Sequence, residues 1–330
     1  MTKISVIGAG AWGTALAQIY AKAGHHVTLW VRDVSLKNTM VSSGLNTTYL
    51  PNIELDPHLI ITNDLAEAAQ AEIILNVIPA QYLRANLKLL SPLLRDNQPI
   101  IICAKGIEIE SHSLLSDVFK DECPKAKLAF LTGPNFAIEI ASGLPSASTL
   151  ACADLNLGQQ IQSALTAPNL RLYLTDDIIG AQIAGAIKNV IAIACGITHG
   201  LNLGESARAA LVTRGLAEIS RLTIAMGGKR ETLMGQCGIG DLMLTCSSLK
   251  SRNFSCGVEL AQGKTMTEIQ DKRHSIIEGI TTAKATLKLI NEYKIDMPIV
   301  SGVYDCLYKN LSVIDAANSI LSRPARNEGD

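Results

Sequence analysis

The stretch Ile4-Ser5-Val6-Ile7-Gly8-Ala9-Gly10-Ala11-Trp12-Gly13 decides the fold. Residues 4–7 form a short apolar run, which reads as a buried strand. A helix is expected next, through Ala15, Leu16, Ile19 and Tyr20, with Gly24 ending it. Residues 27–31 are a second apolar run. Strand, glycine turn, helix and strand within about 30 residues make the β-α-β half of a dinucleotide-binding fold. Each glycine of the Gly-x-Gly-x-x-Gly pattern has a physical task in that context. Gly8 permits the tight turn, Gly10 lets a pyrophosphate approach the backbone, and Gly13 lets the helix pack on the strand. The helix N-terminus adds N–H groups and the positive end of its dipole.

Working outward, apolar runs at 73–78, 100–104, 128–131 and 170–174 read as further strands, with helical segments between them. Such alternation predicts an α/β domain, a Rossmann-like doubly wound sheet covered on both faces. After about residue 177 the strand runs stop. Residues 178–197, 207–226 and 281–292 carry helical patterns. The chain is therefore expected to hold a dinucleotide-binding domain at 1–177, followed by an all-α C-terminal domain at 178–330 for substrate and catalysis. A length of 330 residues suits two domains of about 150.

Composition narrows the function. With 48% hydrophobic and 18% charged residues the chain is not a disordered one. Lys and Arg total 29 against 30 Asp and Glu, so no basic excess points to nucleic acid or an anionic membrane. The eight cysteines include no C-x-x-C pair, which reads as free thiols in a reducing cytosol. The N-terminus reads as the first strand rather than a signal peptide. Residues 178–197 approach the length of a membrane span, but Lys188 sits mid-stretch among Ala and Gly. A buried helix fits better, and no integral membrane association is expected. The histidines and carboxylates show no metal-ligand spacing, so no metal is expected. Aromatic residues make up only 4% of the chain.

Several polar residues do not fit their surroundings. Lys188 lies on a helix that is apolar nearly all round. A buried ammonium lowers its own pKa, which suits a general acid near a carbonyl. Lys105 follows the apolar run 100–104, at the carboxyl end of a strand, where open α/β sheets bind ligands. Gly133-Pro134-Asn135 follows the next strand in the same way. Asp241 stands in the Gly-rich turn Gly238-Ile239-Gly240 and could orient and balance the two lysines. Ser251-Arg252-Asn253 offers a hydroxyl, a guanidinium and an amide in a row, a set suited to phosphate. At the end of the second strand, Arg32 could pair with a ribose 2′-phosphate, while Asp33 would argue for a free 2′-hydroxyl. The reading leans to NADP(H), with NAD(H) tolerated.

These blocks resemble the bacterial type of NAD(P)-dependent glycerol-3-phosphate dehydrogenase. The resemblance is carried by Gly8-Ala-Gly-Ala-Trp-Gly-Thr-Ala-Leu-Ala17, Ala104-Lys-Gly-Ile-Glu108 and Gly133-Pro-Asn-Phe-Ala-Ile-Glu139. It continues through Ile187-Lys-Asn-Val-Ile-Ala-Ile193, Thr213-Arg-Gly-Leu-Ala-Glu-Ile219, Gly238-Ile-Gly-Asp-Leu242, Leu244-Thr-Cys246, Ser251-Arg-Asn253 and Ile277-Glu-Gly279. It implies an enzyme that interconverts sn-glycerol 3-phosphate and dihydroxyacetone phosphate and supplies phospholipid synthesis. On the matching positions Lys188 would be the proton donor and acceptor. Lys105, Gly133, Asn135, Asp241, Ser251, Arg252 and Asn253 would contact substrate with it. Ala11, Trp12, Arg32, Tyr49, Lys105, Ala137, Arg252, Ile276 and Glu278 would line the cofactor beside the three glycines. The resemblance also implies a cytoplasmic homodimer. Two positions depart from the pattern: Ala11 stands where Ser or Asn is common, and Asn135 where Ser or Thr is. Rival readings are a 6-phosphogluconate or 3-hydroxyacid dehydrogenase relative, which share a lysine on a helical second domain, and a non-catalytic NADP(H) sensor. The sensor would have no reason to hold Lys105, Lys188 and Asp241 together.

Overall fold

The computed structural model describes residues 1–271 and 276–324. The chain divides into two compact units, one of Met1–Ala104 with Leu115–Ile178, the other of Lys105–Leu114 with Ile179–Asp330. Lys105 thus belongs with the helical unit.

The first unit carries ten strands: β1 (Lys3–Ile7), β2 (His26–Trp30), β3 (Leu45–Asn46), β4 (Leu50–Glu54), β5 (Ile60–Thr62), β6 (Ile73–Asn76), β7 (Pro99–Ile102), β8 (Lys127–Thr132), β9 (Ser146–Ala151) and β10 (Leu170–Thr175). Eight of them form one sheet in the order β10-β9-β8-β7-β6-β1-β2-β5, and β3 pairs β4 as a small separate hairpin. From β5 through β8 every pairing is parallel. In β1, Ile4 stands beside Val27 of β2 and Ile73 of β6. The residues of β1 after Lys3 and all of β6 are buried, as expected where both faces are covered.

The purely parallel sheet expected from the alternation holds for those six strands only. β9 runs antiparallel to β8, and β10 runs parallel to β9. The cause is the connection. Between β8 and β9 lies only the five-residue helix Ala137–Ala141. It spans about 7.5 Å, too little to carry the chain back along a strand for a parallel crossover. β9 reads Ser-Ala-Ser-Thr-Leu-Ala and lacks the apolar run that marks its neighbours.

The second unit is helical. Its long members are Ile178–Gly200, Glu205–Ala225, Arg252–Ala261, Glu278–Tyr293, Pro298–Tyr308 and Val313–Leu321. The helix Ile178–Gly200 is long and apolar enough by composition to cross a membrane, yet its most apolar window is 89% buried inside the protein. It is the centre of this unit's core, with Ile183, Ile187, Val190, Ile191 and Ile193 fully covered. The helix Arg252–Ala261 packs against it through glycine. A Cβ added to Gly196 would overlap the Phe254 carbonyl, and one added to Gly257 would overlap the Ile193 carbonyl. Small residues therefore set the spacing of these two helices.

One buried acid joins two helices of this unit. Glu218, on Glu205–Ala225, accepts hydrogen bonds from the N–H groups of Ile299 and Val300 at 2.7 and 3.1 Å. The helix Pro298–Tyr308 has no side-chain cap of its own, so Glu218 satisfies its first turn. Burial pushes the Glu218 carboxyl up to about 7, although both N–H donors pull it down.

Candidate active site

In the sheet unit the glycine turn joins β1 to the helix Ala11–Lys22. Gly8 has φ +112°, a conformation that a side chain resists. A Cβ on Gly13 would overlap the Gly8 carbonyl, so only glycine lets the helix close onto the turn. Gly10 is the N-cap, exposed, with no side chain capping the helix. A Cβ built there meets nothing within 4 Å, so the space in front of the helix N-terminus is open. Open space, backbone donors and the positive dipole end fit the pyrophosphate of a dinucleotide.

The other residues expected around that group lie as follows. Ala11 and Trp12 are half-buried in the first helical turn, and Trp12 packs on the unit's core. Arg32 and Asp33 are both exposed just past β2. Asp33 is the N-cap of the helix Val34–Ser43, its Oδ1 accepting from the N–H groups of Ser35 and Leu36 at 2.7 and 3.1 Å. Tyr49 is half-buried in the turn of the β3–β4 hairpin, and Ala137 half-buried at the start of its short helix. Gly133 leaves β8 so close to β9 that an added Cβ would stand 2.8 Å from the Ser148 Cα. Asn135 donates to the Ala147 carbonyl at 3.2 Å and to Ser148 Oγ at 2.7 Å. Gly133 and Asn135 thus belong to the sheet unit and fasten β9.

The helical unit concentrates charge in its interior. Lys188 is 5% exposed and Asp241 2%. Lys188 Nζ lies 3.1 Å from Asp241 Oδ1 and donates to Thr245 Oγ1 at 2.7 Å. Thr245 in turn donates to Asp241 Oδ1 at 3.2 Å. Lys105 Nζ stands 2.6 Å from the other carboxylate oxygen, Oδ2. Lys105 reaches Asp241 because the segment Lys105–Leu114 is seated in this unit's core by Ile107 and Leu114. Asp241 is placed by the glycine turn before it. Gly238 has φ −93° and ψ −106°, and an added Cβ would overlap the Leu233 backbone.

Two ammonium groups share one carboxylate, so the cluster keeps a net positive charge. Burial lowers the Lys188 pKa to about 8; Asp241 opposes the shift and Lys105 adds to it. Such a group is mostly protonated at neutral pH, yet gives up its proton readily. Among the described residues no group of three His, Cys, Asp or Glu side chains is placed to hold a metal.

The triplet at 251–253 is built into helix ends. Ser251 caps the helix Arg252–Ala261, its hydroxyl accepting from the Phe254 N–H at 3.3 Å. Arg252 is exposed on the first turn. Asn253 donates to Asn189 Oδ1 at 2.9 Å and accepts from the Gly279 N–H at 2.9 Å. It thereby ties the residue after Lys188 to the start of the helix Glu278–Tyr293. Glu278 is half-buried on that first turn, and Ile276 half-buried two residues earlier. The structure therefore brings Lys105, Lys188 and Asp241 into direct contact, and Asn253 onto the neighbour of Lys188. Sequence reasoning missed Thr245, Asn189 and Asn46. For Thr245 a signal existed: it follows Asp241 by four residues, one helical turn.

Known proteins match this chain in both units. A family model described as the NAD-dependent glycerol-3-phosphate dehydrogenase N-terminus matches residues 3–158, and the corresponding C-terminus model matches 177–318. The chain is 47% identical over 326 residues to the glycerol-3-phosphate dehydrogenase (NAD(P)+) of Parvibaculum lavamentivorans, covering 99% of this chain and 98% of that one. It is 48% identical over 327 residues to the protein of the same name from Rhodospirillum rubrum, covering 99% and 94%. The crystal structure of glycerol-3-phosphate dehydrogenase from Coxiella burnetii superposes with a TM-score of 0.93 at 36% identity, covering 98% of this chain and 99% of that one. A glycine turn with open space at Gly10, a buried Lys188–Asp241 pair joined by Lys105 and these full-length matches agree, and the chain belongs to the NAD-dependent glycerol-3-phosphate dehydrogenase family.

Proposed function

We propose that this protein interconverts sn-glycerol 3-phosphate and dihydroxyacetone phosphate with NAD(P)(H), and that Lys188 is the proton donor and acceptor. The observation that carries the reading is Lys188 itself, buried, hydrogen-bonded and lowered to about 8 between Asp241 and Lys105. The names of the relatives support the same reaction.

When bound, the nicotinamide supplies a hydride to the carbonyl carbon, or takes one back from the alcohol. In the reducing direction negative charge grows on the carbonyl oxygen. The Lys188 ammonium stabilises that charge and transfers a proton to it. An ammonium has three N–H groups. Thr245 and Asp241 engage two of them and fix the direction of the third, which is the one for the substrate oxygen. Asp241 also holds Lys105, so a second cation adds to the positive field around an anionic substrate. In the oxidising direction neutral Lys188 takes the hydroxyl proton.

The remaining assignments rest on the resemblance and on local geometry. Arg252 is proposed to bind the substrate phosphate. Ser251 and Asn253 are proposed to contact substrate beside it: the Ser251 hydroxyl accepts from Phe254 N–H and keeps its own proton to donate, and Asn253 Nδ2 uses one of its two N–H groups on Asn189. Gly133 and Asn135 are proposed to touch substrate from the sheet unit. Gly8, Gly10, Gly13, Ala11, Trp12, Arg32, Tyr49 and Ala137, with Lys105, Arg252, Ile276 and Glu278, are proposed to hold the cofactor. NADP(H) is proposed as the preferred form. Arg32, exposed just past β2, offers a guanidinium to a 2′-phosphate, while Oδ1 of the neighbouring Asp33 is engaged in capping a helix. The domains are proposed to act as assigned, 1–177 for the dinucleotide and 178–330 for substrate. A cytoplasmic homodimer supplying phospholipid synthesis completes the proposal. The eight cysteines, all free thiols, support the compartment.

The test is absorbance at 340 nm with dihydroxyacetone phosphate, run with NADPH and NADH separately. Oxidation that depends on the substrate is expected with both and is faster with NADPH. No substrate-dependent oxidation with either would contradict the reading.

A further inference from the structure

The hairpin β3–β4 lies outside the main sheet, yet a buried amide connects it to the glycine turn. Asn46 is 0% exposed. Its Nδ2 donates to the Ala9 carbonyl at 2.9 Å and to Thr14 Oγ1 at 2.8 Å, and its Oδ1 accepts from the Tyr49 N–H at 3.1 Å. Thr14 Oγ1 also donates to the Ala9 carbonyl, at 3.4 Å. Both donor hydrogens of the amide are thus used inside the turn, and its oxygen holds the hairpin loop. A second buried amide, Gln18, fastens the far end of the hairpin to the same helix, donating to the Glu54 carbonyl at 2.8 Å and accepting from the Asp56 N–H at 2.7 Å. Only Asn46 reaches the turn itself.

Ala9 is the residue between the first two glycines. A trans peptide is planar, with its C=O and N–H pointing in opposite directions. Two donors hold the Ala9 carbonyl on the buried side. The N–H of Gly10, in the same peptide, is therefore aimed to the exposed side, where the space in front of the helix is open. Gly10, whose φ flanks this peptide, would otherwise make its rotation less costly than a side-chain-bearing residue would.

We infer that Asn46, with Thr14, is a positioning residue: it locks the Ala9–Gly10 peptide so that Gly10 N–H faces the dinucleotide, and it sets the Tyr49 loop beside that turn. The inference rests on the proposed binding of NAD(P)(H) to the glycine turn. Asn46→Asp replaces the donor by an acceptor of nearly the same shape, facing the Ala9 carbonyl. Thr14→Val removes the hydroxyl, and Thr14→Ser keeps it.

The test is a fluorescence titration of NADPH binding to each protein without substrate, followed by steady-state kinetics. Asn46→Asp and Thr14→Val are expected to weaken NADPH binding about tenfold, the scale of one buried hydrogen bond left unmade. Thr14→Ser is expected to bind within about twofold of the wild type. KM for NADPH should rise with the dissociation constant, while kcat at saturating cofactor and KM for dihydroxyacetone phosphate stay near wild type. A general loss of fold would move all of these together. Wild-type NADPH affinity in Asn46→Asp overturns the inference; if that variant does not fold, equal affinities of Thr14→Val and Thr14→Ser overturn it. Failure of the wild type to bind either NADPH or NADH would instead overturn the proposed function.

Discussion

A Cβ added at Gly10 would meet nothing within 4 Å, whereas one added at Gly257 would strike the Ile193 carbonyl. The two glycines come from the two units and serve opposite ends. Gly10 leaves open space and backbone N–H groups before a helix. Gly257 lets two helices touch, in the unit where Lys188 and Asp241 are buried. The binding chemistry follows suit: a glycine turn with no capping side chain in one unit, and in the other two ammonium groups sharing the Asp241 carboxylate. Cofactor affinity should therefore be sensitive to the turn, and proton transfer to the helical core.

Lys188→Ala carries the largest expected effect. Removing a general acid lowers kcat about 10²- to 10⁴-fold. NADPH binding, measured by fluorescence, should persist, because the glycine turn is intact. Near-wild-type turnover would break the division of labour. Next comes a pair of alanine substitutions. Gly257→Ala forces a methyl into the Ile193 carbonyl and should destabilise the protein by about 1–3 kcal/mol or more, read as a lower thermal midpoint. Gly10→Ala has φ −69° and open space, so its midpoint should stay at the wild-type value while NADPH affinity falls. If Gly10→Ala destabilises as much as Gly257→Ala, the contrast between the units is wrong.

Arg32→Ala sharpens the cofactor side. It should weaken NADPH about tenfold, the scale of one charge-assisted hydrogen bond, and NADH much less. Equal weakening of both would remove Arg32 from the 2′-phosphate. The smallest effect concerns Glu218. Its carboxyl is raised from 4.5 to about 7 in the folded protein, so between those values the folded chain binds more protons than the unfolded one. Stability contributed by this group is therefore present below that window and is lost as pH rises through it. Glu218→Gln should flatten the change in urea midpoint between pH 5 and pH 7.5. An unchanged slope would mean that Glu218 is ionised throughout.

The glycine turn and Lys188 were legible because each contradicts its surroundings. Three glycines at fixed spacing interrupt a strand and helix, and Lys188 is the lone charge in the largely apolar stretch 178–197. While the edge strand β5, only three residues long, was too short to show a pattern, β1, β2, β6, β7, β8 and β10 were legible as apolar runs. β9 was not, because Ser146 to Thr149 are small and polar and the strand is set by partners on both sides rather than by its own pattern. Lys105 and Asp241 were recognisable as site residues, but their pairing at 2.6 Å spans 136 positions and no local pattern encodes it. Asn46 and Thr14 were passed over for the same reason, since their value lies in a hydrogen bond between segments 32 residues apart. Arg32 and Asp33 could not be ranked from sequence because they are adjacent and pull in opposite directions, and no local pattern showed beforehand that Asp33 caps a helix.

The central claim is that Lys188, lowered by burial and poised on Asp241, moves the proton. The pH dependence of kcat in both directions tests it most directly, at saturating substrate and cofactor. With Lys188 near 8, reduction of dihydroxyacetone phosphate needs the protonated form and should lose about tenfold per pH unit above that value, while oxidation of glycerol 3-phosphate should rise through the same region. A kcat for reduction that stays flat from pH 7 to about pH 10, where an ordinary lysine titrates, would contradict the account.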